Sequence, residues 1–206
     1  MDLRLYGVIG TGYTGGRDLV QAVEDSIAGG VTIVQLREKE LGGREFIEAA
    51  RRLREVTARS GVPLIINDRV DVALAVGADG VHLGQEDLPA SAARRLVGRL
   101  ILGISVSTPE EARQAQQDGV DYLGIGPAFP TLSKGDAGQA IYPAGVRAIT
   151  EVVKVPAVAI GGIGPGNIDQ LAGTGLAGVA VISAIYGQPD IRRAAEALKE
   201  RVAHWS

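Results

Sequence analysis

Gln35-Leu36-Arg37-Glu38-Lys39 closes an apolar run, Val31 to Val34, that reads as a buried parallel strand. A cation-bearing polar cluster fills a core poorly. At the carboxyl end of such a strand it suits an anion held in the mouth of an α/β barrel. Polar groups recur at other strand ends: Asn67-Asp68, Asp87, Ser105 and the stretch Thr131 to Lys134. Arg37, Lys39 and Lys134, gathered on one rim of a chain whose formal net charge is -3, suit a phosphate or diphosphate. Taken singly, each cation reads more simply as the partner of a nearby acid (Glu38, Glu40 or Asp136); the three together favour a ligand.

Asp68 and Asp87 follow neighbouring strands. Two oxygen donors with no His or Cys ligand beside them suit Mg²⁺, which keeps waters and takes phosphate oxygens as further ligands. The competing reading makes each a helix N-cap, Asp87 especially, since Leu88-Pro89 follows it. Gly161-Gly162-Ile163-Gly164 and Ile182-Ser183 end two further strands, where barrels often bind phosphate on backbone N–H groups. A tight turn is the plainer account of the glycines alone. His82 reads as a hydrogen-bonded interior residue, and His204 has no constellation around it. No Ser-His-Asp arrangement supports nucleophilic hydrolysis.

The elements that must position these groups are short runs, apolar throughout, as in parallel strands covered on both faces. They are Leu5–Ile9, Thr32–Leu36, Pro63–Ile66, Gly80–Leu83, Leu100–Ser105, Tyr122–Ile125, Pro156–Ile160 and Gly178–Ile182. Helical periodicity fills the gaps: Phe46, Ile47, Ala50, Leu53, Val56 and Thr57 make one stripe. Thr108-Pro109-Glu110-Glu111 predicts a capping box, with Gly119 ending that helix as Gly61 ends an earlier one. Pro89 and Pro189 open two more helices, the second running over Ile191–His204. Eight such units in one chain favour a closed (β/α)₈ TIM barrel over an open sheet, as one α/β domain over residues 1–206. The segment from Gly126 to Pro143 is long enough to cover the mouth.

Composition narrows the function classes. Hydrophobic residues are 46% and charged residues 22%, ordinary for a globular protein, so the 29 glycines point to tight turns rather than disorder. With net charge -3, no global field favours nucleic acid or an anionic membrane. There is no cysteine, hence no disulfide, thiolate metal site or cysteine nucleophile. Without a secretory pattern or an apolar stretch of spanning length, a cytoplasmic location is expected. The partners expected are small-molecule substrates, and a homodimer would be unremarkable.

Six stretches in order resemble thiamine phosphate synthases: QLREK at Gln35–Lys39, NDRVD at Asn67–Asp71, VHLGQED at Val81–Asp87, GIGPAFPTLSK at Gly124–Lys134, AIGGI at Ala159–Ile163 and VISAI at Val181–Ile185. That family is a (β/α)₈ barrel. It joins hydroxymethylpyrimidine diphosphate to a thiazole phosphate, with decarboxylation when the thiazole is carboxylated, and releases pyrophosphate. The resemblance implies that Gln35, Arg37, Lys39, Asn67, Ser105 and Lys134 hold the pyrimidine diphosphate. It gives Asp68 and Asp87 to Mg²⁺, and Thr131, Ser133, Gly162, Ile182 and Ser183 to the thiazole phosphate. Leu36, Glu38 and Leu132 belong to the same motif stretches and join the substrate-binding set. Catalysis would rest on Arg37, Lys39, Ser105 and Lys134.

The chain departs from the family's pattern in three places. The first strand usually ends in Thr-Asp, whereas here Tyr6 to Thr11 continues as Gly12-Tyr13-Thr14-Gly15-Gly16. Ser133 replaces a threonine and keeps its hydroxyl. Ser107 stands where a histidine is usual. Thiazole tautomerases share the fold and use that histidine for proton transfer, which serine cannot supply near neutral pH. A non-catalytic paralogue that binds thiamine intermediates is the alternative of another class. Loss of Asp68, Asp87 or Lys134 would have favoured it; all are present.

Overall fold

The computed structural model describes residues 1–131 and 138–205. Eight parallel strands close on one another in sequence order: β1 (Leu5–Ile9), β2 (Ile33–Leu36), β3 (Leu64–Asn67), β4 (Gly80–Leu83), β5 (Ile101–Val106), β6 (Tyr122–Ile125), β7 (Ala157–Ile160) and β8 (Gly178–Val181). Closure is made by β1 against β8, in the register Leu5–Val179, Tyr6–Ala180 and Gly7–Val181. The expected barrel is therefore present, with strand limits displaced by a residue or two. Asn67 and Val106 belong to strands, while Thr32, Pro63, Leu100, Pro156 and Ile182 do not.

Strand alternation divides the apolar side chains into two cores. Tyr6, Val8, Ile33, Ile65, Tyr122, Val158 and Ala180 point inward and fill the barrel. Their strand neighbours, such as Leu5, Val34, Leu64 and Leu123, point outward against the helices. Those helices are α1 (Leu19–Ala28), α2 (Gly43–Ser60), α3 (Val70–Val76), α4 (Ala90–Val97), α5 (Pro109–Gln117), α6 (Tyr142–Thr150), α7 (Ser183–Tyr186) and α8 (Ile191–Val202). On α2 the buried stripe is Phe46, Ala50, Leu53, Val56 and Thr57, with Ile47 at its edge. Only a 3-10 turn, Ile168–Leu171, follows β7. Among the described residues no helix is long and apolar enough to cross a membrane.

The helix ends mostly match the expected signals. Gly61 and Gly119 have φ of +65° and +78°, the left-handed conformation that closes a helix. Pro89 flanks α4 as its N-cap, and Asp190, just after Pro189, caps α8 by accepting from Arg193 N. At α5, Thr108 accepts from Glu111 N at 3.2 Å. Glu111, however, accepts from Ser107 N at 2.6 Å and from its hydroxyl at 3.1 Å, one residue earlier than a capping box requires.

The rim away from the mouth carries stability. Asp79 accepts from Leu64 N and pairs with Arg54; Asp121 repeats the device with Leu102 N and Arg94. Each carboxylate satisfies an N–H at the start of a strand while tying that strand to a helix.

Candidate active site

The carboxyl ends of the strands surround a cavity of about 710 Å³. Inward positions of successive strands supply its polar wall. Gln35 and Arg37 come from β2 and its continuation, Asn67 from β3, His82 from β4 and Ser105 from β5; Lys39, Asp68 and Asp87 follow in the loops. Thr131, Gly162, Ile182 and Ser183 also line it. Leu36 is fully buried in the helix-facing core, and Glu38 turns to the loop after β1; neither faces the cavity. Leu132, Ser133 and Lys134 lie outside the described residues.

Arg37 and Lys39 do not pair with the acids beside them in sequence. Lys39 Nζ lies 2.5 Å from Asp68 Oδ2, and Arg37 donates to the Tyr13 hydroxyl at 2.8 Å. Asp68 sits at φ +63°, a left-handed backbone that Asp tolerates better than most residues but still at a cost. Its N–H donates to His82 O at 2.8 Å, and its Oδ1 accepts from Asn67 Nδ2. Neither aspartate caps a helix: α3 has no side-chain cap, and Asp87 instead accepts from Gly84 N at 2.7 Å.

Burial raises the Asp87 carboxyl above the usual range, and the nearby Asp68 carboxylate adds to that rise. A cation between the two carboxylates would relieve the cost of charging Asp87. Among the described residues no group of three or more His, Cys, Asp or Glu gathers around a metal position. A two-carboxylate pair facing an anion pocket fits Mg²⁺, whose remaining ligands would be phosphate oxygens and water.

On the other side of the barrel, Gly161 and Gly162 have φ of +100° and +64°. A Cβ on Gly161 would come within 2.7 Å of Pro127, and one on Gly162 would meet Pro130 O. Glycine is thus required by the loop's own packing as well as by any anion. Asn167 holds the turn by accepting from Gly164 N and donating to Gly162 O. The N–H groups of Gly162, Ser183 and Ala184 donate to no acceptor among the described residues, so they are available to a phosphate.

Beneath these groups lies a feature that sequence reasoning missed. Gln35 Nε2 donates to Tyr6 Oη (2.7 Å), which meets Tyr122 Oη (2.8 Å); Tyr122 Oη meets His82 Nδ1 (2.8 Å), and His82 Nε2 meets Ser105 Oγ (2.9 Å). Gly103 and Gly124 make the room, since a Cβ on Gly103 would strike the Tyr122 ring and one on Gly124 would lie 3.0 Å from His82 Cε1. The available signal was a large phenol paired in register with glycine, Tyr122 against Gly103. As sequence reasoning expected, His82 is an interior, hydrogen-bonded residue.

Residues 5–185 match the family model described as thiamine monophosphate synthase. The thiamine-phosphate synthase of Moorella thermoacetica is 53% identical over 199 residues, 96% of this chain and 95% of that one. Its counterpart from Chloroflexus aurantiacus is 49% identical over 203 residues, 98% and 94% of the two chains. Among solved structures, thiamine phosphate pyrophosphorylase from Pyrococcus furiosus superposes with a TM-score of 0.91 at 42% identity, covering 98% of this chain and 96% of its own. Barrel, cavity and sequence therefore lead to one conclusion: the chain belongs to the thiamine monophosphate synthase family.

Proposed function

We propose that this barrel joins hydroxymethylpyrimidine diphosphate to a thiazole phosphate, releasing pyrophosphate and forming thiamine phosphate, with Mg²⁺ as cofactor. One arrangement carries the reading. Cations, paired carboxylates and a hydroxyl end β2 to β5 on one side of a single cavity, and backbone amides that donate to no acceptor among the described residues end β7 and β8 on the side opposite. Two anionic ligands are thereby accommodated at once.

In this reading Gln35, Asn67 and Ser105 hold the pyrimidine diphosphate, and Arg37, Lys39 and Lys134 neutralise it as it departs. The bond between the pyrimidine methylene and the diphosphate oxygen breaks with its electron pair going to oxygen. The ring's amino group stabilises the methylene cation, and the thiazole nitrogen then supplies the pair for the new C–N bond. Asp68 and Asp87 would hold Mg²⁺, which adds positive charge beside the leaving group. Thr131, Ser133, Gly162, Ile182 and Ser183 keep the thiazole phosphate in line. No proton moves at the reacting atoms, so the site needs no general base. Ser107 offers none, its hydroxyl and N–H both being held by Glu111, and nothing here favours a tautomerase.

The test is pyrophosphate release from the two substrates, with Mg²⁺ and with EDTA. Stoichiometric thiamine phosphate and pyrophosphate, abolished by EDTA, is the expected result. Tight binding of both ligands without product would reject catalysis in favour of a binding paralogue. The homodimer belongs to the same proposal, and light scattering of the eluted protein would decide it.

A further inference from the structure

We propose that Gln35, Tyr6, Tyr122, His82 and Ser105 form a directed hydrogen-bond relay that makes Ser105 a donor into the cavity, with Tyr122 and His82 as positioning residues. The direction is set at one end. The Gln35 amide nitrogen can only donate, so the Tyr6 oxygen accepts and the Tyr6 hydrogen is spent on Tyr122. Burial keeps both phenols protonated, well above their ordinary range. The Tyr122 hydrogen therefore goes to His82 Nδ1, at 2.8 Å.

A neutral imidazole that accepts at Nδ1 carries its hydrogen at Nε2, which then donates to Ser105 Oγ at 2.9 Å. With its oxygen engaged as acceptor, Ser105 has its own hydrogen left for a ligand. The other end is complementary, because Gln35 keeps its carbonyl oxygen as an acceptor. Both residues line the cavity. A ligand matching this polarity presents an oxyanion at Ser105 and an N–H donor at Gln35. The pyrimidine diphosphate has both groups, and the relay rests on the proposed function only for that ligand's identity.

Fixed polarity is useful where charge grows on the leaving group, since a hydroxyl already committed as donor does not reorient during bond breaking. No buried side-chain nitrogen or oxygen lacks a partner among the described residues, so the relay is satisfied throughout.

His82 and His204 are the only two histidines, so ¹⁵N-histidine labelling reads the ring directly, with His204→Gln assigning the signals. The expected result is a neutral Nε2–H tautomer at His82. A neutral Nδ1–H tautomer, which the opposite polarity requires, or a doubly protonated ring would overturn the relay. Tyr122→Phe keeps the ring and removes only the hydroxyl. It should leave His82 a mixture of tautomers and lower kcat/KM for pyrophosphate release about tenfold. An unmixed Nε2–H signal in that variant would assign any lost activity to packing and reject Tyr122 as a positioning residue. An inactive wild type would count against the proposed function alone, because the tautomer is read without substrate.

Discussion

Glu38 accepts two hydrogen bonds from one residue, Thr11: Oε1 is 2.6 Å from the backbone nitrogen and Oε2 is 3.0 Å from the hydroxyl. The side chain between the two cations of the β2 end thus turns away from the cavity and fastens the loop after β1. Arg37 reinforces it through Tyr13. This is the segment in which the chain departs from the usual Thr-Asp ending, and it is held by the very strand end that lines the cavity.

Glu38→Ala should free that loop. A loss of about 1 kcal/mol, seen as a fall of about 2–4 °C in Tm, is expected, together with new proteolytic cleavage between residues 10 and 16. Calorimetry and a digestion time course check it; an unchanged Tm and digestion pattern would remove Glu38 as the fastener.

Asp68→Asn removes one carboxylate of the pair and the partner of Lys39. The Mg²⁺ concentration for half-maximal turnover should rise about tenfold or more. An unaltered metal response in a Mg²⁺ titration of pyrophosphate release would exclude Asp68 from the metal site.

Lys134→Ala should act on the departing diphosphate more than on bound substrate. A kcat about 10²-fold lower with little change in KM is expected from steady-state kinetics. Weaker binding at full kcat would reject that role.

Gly162→Ala places a side chain at φ +64° and against Pro130 O. Roughly 1–3 kcal/mol of stability should be lost, and KM for the thiazole phosphate should rise more than that for the pyrimidine diphosphate. Urea unfolding and paired KM measurements read the two effects separately.

The buried phenols predict an alkaline limit. Burial raises the pKa of Tyr6, Tyr122 and Tyr186 in the folded chain. Their contribution to stability is complete below the unfolded value of about 10 and is lost as pH rises through the folded values. Phenolate absorbance from these three should appear only together with loss of the folded circular dichroism signal. A phenolate step preceding unfolding and large enough to require one of them would contradict the assignment.

Most of the barrel was legible because strands covered on both faces read as unbroken apolar runs, and the polar residues that end them mark the mouth. Boundaries failed where this contrast fails. Asn67 is polar yet pairs with β4, and Val106 follows Ser105 yet remains in β5. The 3-10 turn after β7 was not anticipated, since Gly164-Pro165-Gly166 permits either element. The relay was illegible for a different reason: Tyr6 and Tyr122 pass for ordinary apolar strand residues, and their hydroxyls meet across 116 positions of sequence. Whether Arg37 or Glu38 faced the cavity depended on strand alternation carried past Leu36, the last paired residue of β2, which the motif alone does not state.

The pairing of β1 with β8 has a consequence for synthesis. The strand made first finds its second neighbour in the strand made last, so a chain emerging from the ribosome carries an open β1 edge until Val181 is available. Until then that edge is a template for unrelated strands, and afterwards the sheet has none. Long-range closure of this kind slows folding, so crowding of nascent chains, rather than of finished protein, is where aggregation of this barrel should begin.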